Sequence, residues 1–70
     1  MRIRYDKEGD VLYVEFKDTS VTTKRLDQDI AVDYDADGAI AGIEVLDASK
    51  RLFAGHMPPS VVLENLQAVR

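Results

Sequence analysis

The run from Asp33 to Glu44 places carboxylates at Asp33, Asp35, Asp37 and Glu44, with Gly38 after the third. It satisfies the spacing D-x-[DN]-x-[DN]-G-x5-E of a calcium-binding loop. In such a loop the acids supply oxygen ligands, the glycine makes the sharp turn, and the next residue, here Ala39, adds its carbonyl. A calcium loop of this kind joins two helices. The flanks here are strand-like: Ile30, Val32 and Tyr34 alternate with Asp29, Ala31 and Asp33, and Ile43-Glu44-Val45-Leu46 is β-branched and apolar. Glu44 then lies about six residues beyond Gly38, roughly 20 Å along a strand at ~3.3 Å per residue. It cannot close a cage with Asp37. The expectation is therefore no metal and no cofactor, with Asp33 and Asp35 on one strand face and Asp37 in a hairpin turn. Like charges so placed repel, so Asp33→Asn is expected to leave stability unchanged or slightly raised.

Other reactive side chains are sparse. His56 is the only histidine and precedes Pro58-Pro59, so it reads as a loop residue and rules out a two-histidine site within one chain. Ser20, Ser49 and Ser60 stand in no nucleophile motif, and Ser49 reads as a helix-start residue. There is no phosphate loop, no dinucleotide fingerprint and no cysteine, which excludes thiolate metal sites, cysteine nucleophiles and disulfides.

The elements that would carry these residues follow from periodicity. Arg2-Ile3-Arg4-Tyr5 alternates and reads as a short strand. Asp6 to Asp10 supplies turn chemistry. In Val11 to Phe16, Leu12, Val14 and Phe16 share one face and Val11, Tyr13 and Glu15 the other, completing a hairpin. Lys17 to Lys24 is polar and reads as a loop or irregular edge. Leu26 to Tyr34 forms the next strand. Asp35-Ala36-Asp37-Gly38 marks a turn in which Asp35 opposes Ala39 and Tyr34 opposes Ile40. Along Ala39 to Leu46, Ile40 is out of phase with Ile43 and Val45. A bulge near Ala41-Gly42 brings all three to one face. Asp47-Ala48-Ser49 starts a helix containing Lys50 to Phe53, ended by Gly55. After Pro58-Pro59, Ser60 to Val69 has Val62, Leu63, Leu66 and Val69 at helical spacing. The expected fold is α+β: a four-stranded antiparallel β-meander followed by a short helix and a C-terminal helical tail. Residues 1–55 are the domain, and 56–70 belong to it or form an oligomer contact.

Seventy residues with 46% apolar content suffice for one small domain, and such a chain without cysteine is marginal as a monomer. A homodimer is expected. The net charge is −4, and Leu26 to Ser49 contains seven acids and no Lys or Arg. That acidic middle argues against direct nucleic-acid binding and permits a basic protein partner. No apolar run has the length of a membrane span and the N-terminus has no signal-like stretch, so the expected location is cytoplasmic.

Three motifs carry a resemblance: Arg4-Tyr5-Asp6 with Gly9-Asp10-Val11-Leu12-Tyr13-Val14, then Asp33 to Gly38, then Gly42 to Lys50. In that order, over about residues 2–52, the chain resembles the small prokaryotic family catalogued as domain of unknown function 2283. The resemblance implies a compact α+β protein without established activity. Members sometimes lie beside small toxin-like genes, which implies an antitoxin-like role by association. The polar residues within the matching motifs are Asp6, Asp10, Tyr13, Glu44 and Ser49. Paired carboxylates among them, such as Asp6, Asp10 and Glu44, are suited to acid–base work or to Mg²⁺. The plainer reading has Asp6 and Asp10 satisfying turn amides, and Glu44 accepting from Tyr13 or pairing with Arg4. The function expected is a non-enzymatic protein-binding module, with no catalytic residue assigned. The alternative is a divalent-metal-binding protein or small enzyme using Asp6/Asp10/Glu44 or Asp33/Asp35/Asp37.

Overall fold

Strict two-residue alternation in three segments, with turn residues between them, produces a sheet whose two faces differ in chemistry. The computed structural model describes residues 1–54 and 60–67. Among them are β1 (Arg2–Asp6), β2 (Val11–Glu15), β3 (Thr22–Arg25), β4 (Ile30–Tyr34), β5 (Ile40–Leu46) and one helical turn, α1 (Ala48–Arg51). The strands form one antiparallel sheet in the order β1-β2-β5-β4-β3.

This corrects the four-stranded meander in two respects. The polar stretch after Phe16 contributes an additional edge strand, β3, whose residues are all exposed. Lacking an apolar face, it gives no alternation signal, and it is held by its ladder to β4, from Thr22↔Tyr34 to Arg25↔Ala31. The order is also not sequential: β3, β4 and β5 follow one another as hairpins, and β5 returns to lie beside β2, a Greek-key arrangement. The strand expected from Leu26 begins only at Ile30, because Asp27 Oδ1 accepts the amides of Asp29 and Ile30 and turns the chain there.

The hairpin joining β4 to β5 has the geometry its residues demand. Asp35 Oδ1 accepts from the amides of Asp37 and Ala39, both at 2.9 Å, and Gly38 takes φ +83°. Tyr34 opposes Ile40, whereas Asp33 opposes Gly42, so the register shifts at Ala41. That bulge puts Ile40, Ile43 and Val45 opposite Tyr34, Val32 and Ile30, on one apolar face, as their phase requires.

The helix is shorter than expected and ends at Arg51. Its N-cap Asp47 is left-handed, with φ 55°, and offers no side-chain cap. Among the described residues the expected helical tail does not form: Ser60 to Gln67 contain neither helix nor strand, with a bend at Glu64–Leu66 and Asn65 at φ 59°. Val62, Leu63 and Leu66 are exposed, so their helical spacing has no surface to bury against. Gly55, His56, Met57, Pro58, Pro59, Ala68, Val69 and Arg70 lie outside the described residues. Among the described residues the buried apolar set is Ala31, Val32, Ala41, Val45 and Ala48.

Candidate functional site

On the polar face, one rung of the sheet runs Arg4, Tyr13, Glu44, Ala31, Arg25 across all five strands. The neighbouring rung runs Arg2, Glu15, Gly42, Asp33, Thr23. Side chains of both rungs stand on the same face, and the small residue Ala31 leaves a shallow floor between taller neighbours. The result is an open groove of about 700 Å³ with Arg4 and Arg25 at opposite margins and Tyr13, Glu44 and Asp33 between.

Tyr13 is the centrepiece of that groove. Its ring lies over Gly42, where an added Cβ would stand 2.5 Å from the hydroxyl. The Tyr13 hydroxyl donates to Asp33 Oδ2 at 2.7 Å, and the Thr23 hydroxyl donates to Asp33 Oδ1 at 2.5 Å. The Arg4 guanidinium sits 5.4 Å from the centre of the Tyr13 ring, within cation–π range. The Asp33 carboxylate beside its hydroxyl, together with burial, pushes the Tyr13 phenol up to about 12. Tyr13 is therefore a neutral hydrogen-bond donor at ordinary pH. Its partner is Asp33 rather than Glu44, so the expected Tyr13–Glu44 bond does not form. Glu44, half-buried, makes no hydrogen bond or ion pair among the described residues.

The other candidates gather elsewhere. Asp10, at φ 55° in the turn before β2, accepts the Ser49 amide on Oδ1 at 3.0 Å and the Ser49 hydroxyl on Oδ2 at 2.6 Å. The Tyr5 hydroxyl donates to Asp10 Oδ1 at 2.7 Å, and the Ala48 amide donates to the Asp10 carbonyl at 3.0 Å. Asp10 is thus the cap that α1 lacks locally, supplied from the first hairpin. The Ser49 and Tyr5 hydroxyls hold the Asp10 carboxyl below the usual range, and Asp10 in turn pushes the Tyr5 phenol up to about 12. Asp6 Oδ1 accepts the amides of Glu8 and Gly9, the expected turn role. Asp10 does not serve its own turn, and Ser49 bonds across the fold instead of starting its helix as a local cap.

Asp6, Asp10, Tyr13, Glu44 and Ser49 therefore do not make one cluster. Tyr13 and Glu44 share the groove, Asp10 and Ser49 share the helix cap, and Asp6 belongs to the turn. The calcium-spaced residues are likewise dispersed: Asp33 faces Tyr13, Asp35 holds the turn and pairs with Lys17, and Glu44 stands on the next strand opposite Ala31. The Lys17 ammonium and the turn amides keep the Asp35 carboxyl low. Among the described residues no three acidic or histidine side chains form a group suited to a metal ion. Sequence reasoning missed Thr23, Arg25 and Tyr5 as contributors, and missed the pairing of Arg51 with Asp27 and Asp29. Asp33 reads from sequence as a strand-face acid of the calcium-spaced run, with no hydrogen-bond partner assigned. Its bond to Tyr13 becomes readable once the bulge at Ala41 sets Gly42 between the two.

With this geometry in view, the comparisons are consistent. The family model described as protein of unknown function (DUF2283) matches residues 2–49. An uncharacterised protein of Methanocaldococcus jannaschii is 45% identical over 51 residues, covering 71% of this chain and 43% of the relative. This chain belongs to that family of unknown function. It spans less than half the length of the archaeal relative. No solved structure matches the chain. No helix among the described residues is long and apolar enough to cross a membrane.

Proposed function

We propose that the chain is a non-enzymatic protein-binding module whose working surface is the polar face of the sheet. The observation that carries this reading is the distribution of the acids. Asp6, Asp10, Asp33 and Asp35 are each engaged by amides or hydroxyls of the fold. Both tyrosines that touch them are held protonated. Among the described residues no pair of groups is set to exchange a proton with a substrate. What remains is an open groove, a shape that suits a protein surface better than a small molecule, which is usually enclosed.

The charge layout supports a basic partner. Glu44 stands unpaired at the centre among the described residues and Arg4 and Arg25 flank it, so a complementary surface carries a basic residue centrally with acids around it. The chain's net charge of −4 favours an overall basic partner. The antitoxin-like role rests on the family resemblance alone. The test is affinity capture from the native host, then reconstitution from the purified chain and the captured partner. A stoichiometric complex that Glu44→Arg weakens by about tenfold or more, the scale of a lost interfacial charge pair, supports the reading. Repeated recovery of the chain alone, or calorimetric heat on titration with Ca²⁺, Mg²⁺ or Mn²⁺, overturns it in favour of the metal-dependent alternative.

A further inference from the structure

Among the described residues the sheet ends in an open edge at β3. The direction of its backbone groups follows from one bond. The Leu26 amide donates to the Ile30 carbonyl at 2.8 Å, which continues the register of Thr22↔Tyr34 and Lys24↔Val32. Bonded and non-bonded pairs alternate along an antiparallel ladder. Leu26, Lys24 and Thr22 therefore turn their amides and carbonyls toward β4, whereas Thr23 and Arg25 turn theirs outward. Among the described residues no backbone group meets those of Thr23 and Arg25. Such a row is a template for one more strand.

The side chains of this edge are basic on both faces. Lys24 stands in the rung of Val32 and Ile43, on the apolar face, and Arg25 in the rung of Ala31 and Glu44, on the polar face. Residues 19–26 contain no acid, although the whole chain stands at −4. Lys24 makes no hydrogen bond or ion pair among the described residues, and Arg25 reaches the Gln28 carbonyl at 3.3 Å. Beside them on the apolar face, Leu26 is 57% exposed.

We infer that the β3 edge accepts an acidic extended segment of another protein as a sixth, antiparallel strand. Charge selects that occupant over a second copy. Joining β3 to β3 of a copy would set Lys24 and Arg25 of both chains on one ladder, with no acid among residues 19–26 to offset them. Joining it to β1, the opposite edge, would set Lys24 and Arg25 against Arg2 and Arg4. An incoming strand with acids opposite Lys24 and Arg25 instead meets opposite charge on both faces. An apolar residue opposite Leu26 covers surface that is otherwise exposed. The main chain of the added strand supplies bonds to Thr23 and Arg25, and its acids supply selectivity. Lys24 lies on the face away from the groove, and the inference does not rest on the partner surface proposed there.

The probe is the peptide acetyl-Thr-Val-Glu-Glu-Thr-Val-amide, which aligns its first Val with Leu26, its two Glu with Arg25 and Lys24, and its second Thr with Thr23. Titrated into the isotope-labelled chain, it is expected to shift the amide signals of Thr23 and Arg25 and to slow their hydrogen exchange. Lys24→Glu changes an exposed residue, so it is expected to keep the circular-dichroism spectrum while weakening the peptide by about tenfold or more. The same peptide N-methylated at its first Glu and second Thr keeps its charge and loses the amides that would face β3. It is expected not to bind, and this arm needs no variant chain. Absence of any shift at millimolar peptide overturns the inference and leaves the basic residues as a guard against self-pairing. Equal binding of the N-methylated peptide overturns it too, since charge would then attract without adding a strand. So does equal binding of a peptide with Lys in place of both Glu, undiminished binding to Lys24→Glu, or shifts confined to β1.

Discussion

The hydroxyl of Tyr13 lies 2.7 Å from a carboxylate oxygen of Asp33 two strands away, and it reaches that oxygen over the bare backbone of Gly42. The three residues form one device. Gly42 weakens its strand by offering no side chain, and an aromatic ring from the neighbouring strand fills the space. The ring's hydroxyl then ties β2 to β4 across β5.

Gly42→Ala is therefore expected to destabilise the domain by about 1–3 kcal/mol, the range for overpacking a filled site. An added Cβ would meet the Tyr13 hydroxyl at 2.5 Å and the ring carbon bearing it at 3.0 Å. In a Tyr13→Ala background the same substitution costs much less, since the ring is gone. Urea denaturation of the wild type, both single variants and the double variant measures the coupling. Additive costs would show that Tyr13 and Gly42 do not share the space.

Alkaline stability has a stated origin. The phenols of Tyr5 and Tyr13 are each raised from 10.0 to about 12 by the carboxylate they donate to. A group whose folded value is raised contributes stability that is complete below its unfolded value. Here that stability is full below pH 10 and lost progressively as pH rises through about 12. The urea midpoint is expected to fall across that window, and Tyr5→Phe or Tyr13→Phe to flatten part of the fall. Phenolate absorbance during the titration assigns the transitions.

Acid acts through the helix cap. The Asp10 carboxyl is held below its ordinary value by the Ser49 and Tyr5 hydroxyls. A depressed folded value means that the stabilisation is present above the unfolded value and is lost as pH falls through the folded one. Asp10→Ala removes the cap and also places alanine at φ 55°, a conformation alanine disfavours. Asp10→Asn retains the conformation and loses the charge. The expected order of melting temperature at neutral pH is wild type, Asp10→Asn, Asp10→Ala. Below the ordinary carboxylate range the wild type converges on Asp10→Asn. Thermal melts across pH check both statements.

The parts of this fold that were readable from sequence are those where local pattern and tertiary burial agree. The Asp35–Gly38 turn, the pairing of Tyr34 with Ile40 and the bulge at Ala41 follow from phase and turn chemistry alone. Thr22–Arg25 carried no such information, because an edge strand exposed on both faces is held by its neighbour's backbone and needs no apolar residue. Val62, Leu63 and Leu66 misled in the opposite sense: helical spacing without a surface to bury against does not form a helix. At the site, Tyr13 and Glu44 read as donor and acceptor, whereas the Tyr13 hydroxyl donates to Asp33 instead. The link from Asp10 to Ser49 spans 39 positions and has no local signature.

The calcium-spaced acids give the last test. A repelling cluster predicts that removing any one charge is harmless, but the three have different surroundings. Asp33 receives two hydroxyls, one on each carboxylate oxygen. Asp35 receives two turn amides and pairs with Lys17. Asp37 is exposed in the turn. Asp33→Ala is thus expected to cost about 1–3 kcal/mol by leaving hydroxyls without their acceptor, several degrees in melting temperature for a chain of this size. Asp33→Asn is expected to lose part of this, because an amide offers one acceptor oxygen where the carboxylate offers two. Asp35→Ala lowers the melting temperature by loosening the hairpin. Asp37→Asn stays within about 0.5 kcal/mol of the wild type, as exposed substitutions do. Millimolar Ca²⁺ shifts none of the four. A rigid calcium loop would instead raise the wild-type melting temperature, and all four substitutions would abolish the rise together. Equal behaviour of Asp33 and Asp37 variants in these melts would mean that the Tyr13–Asp33 bond contributes nothing to stability.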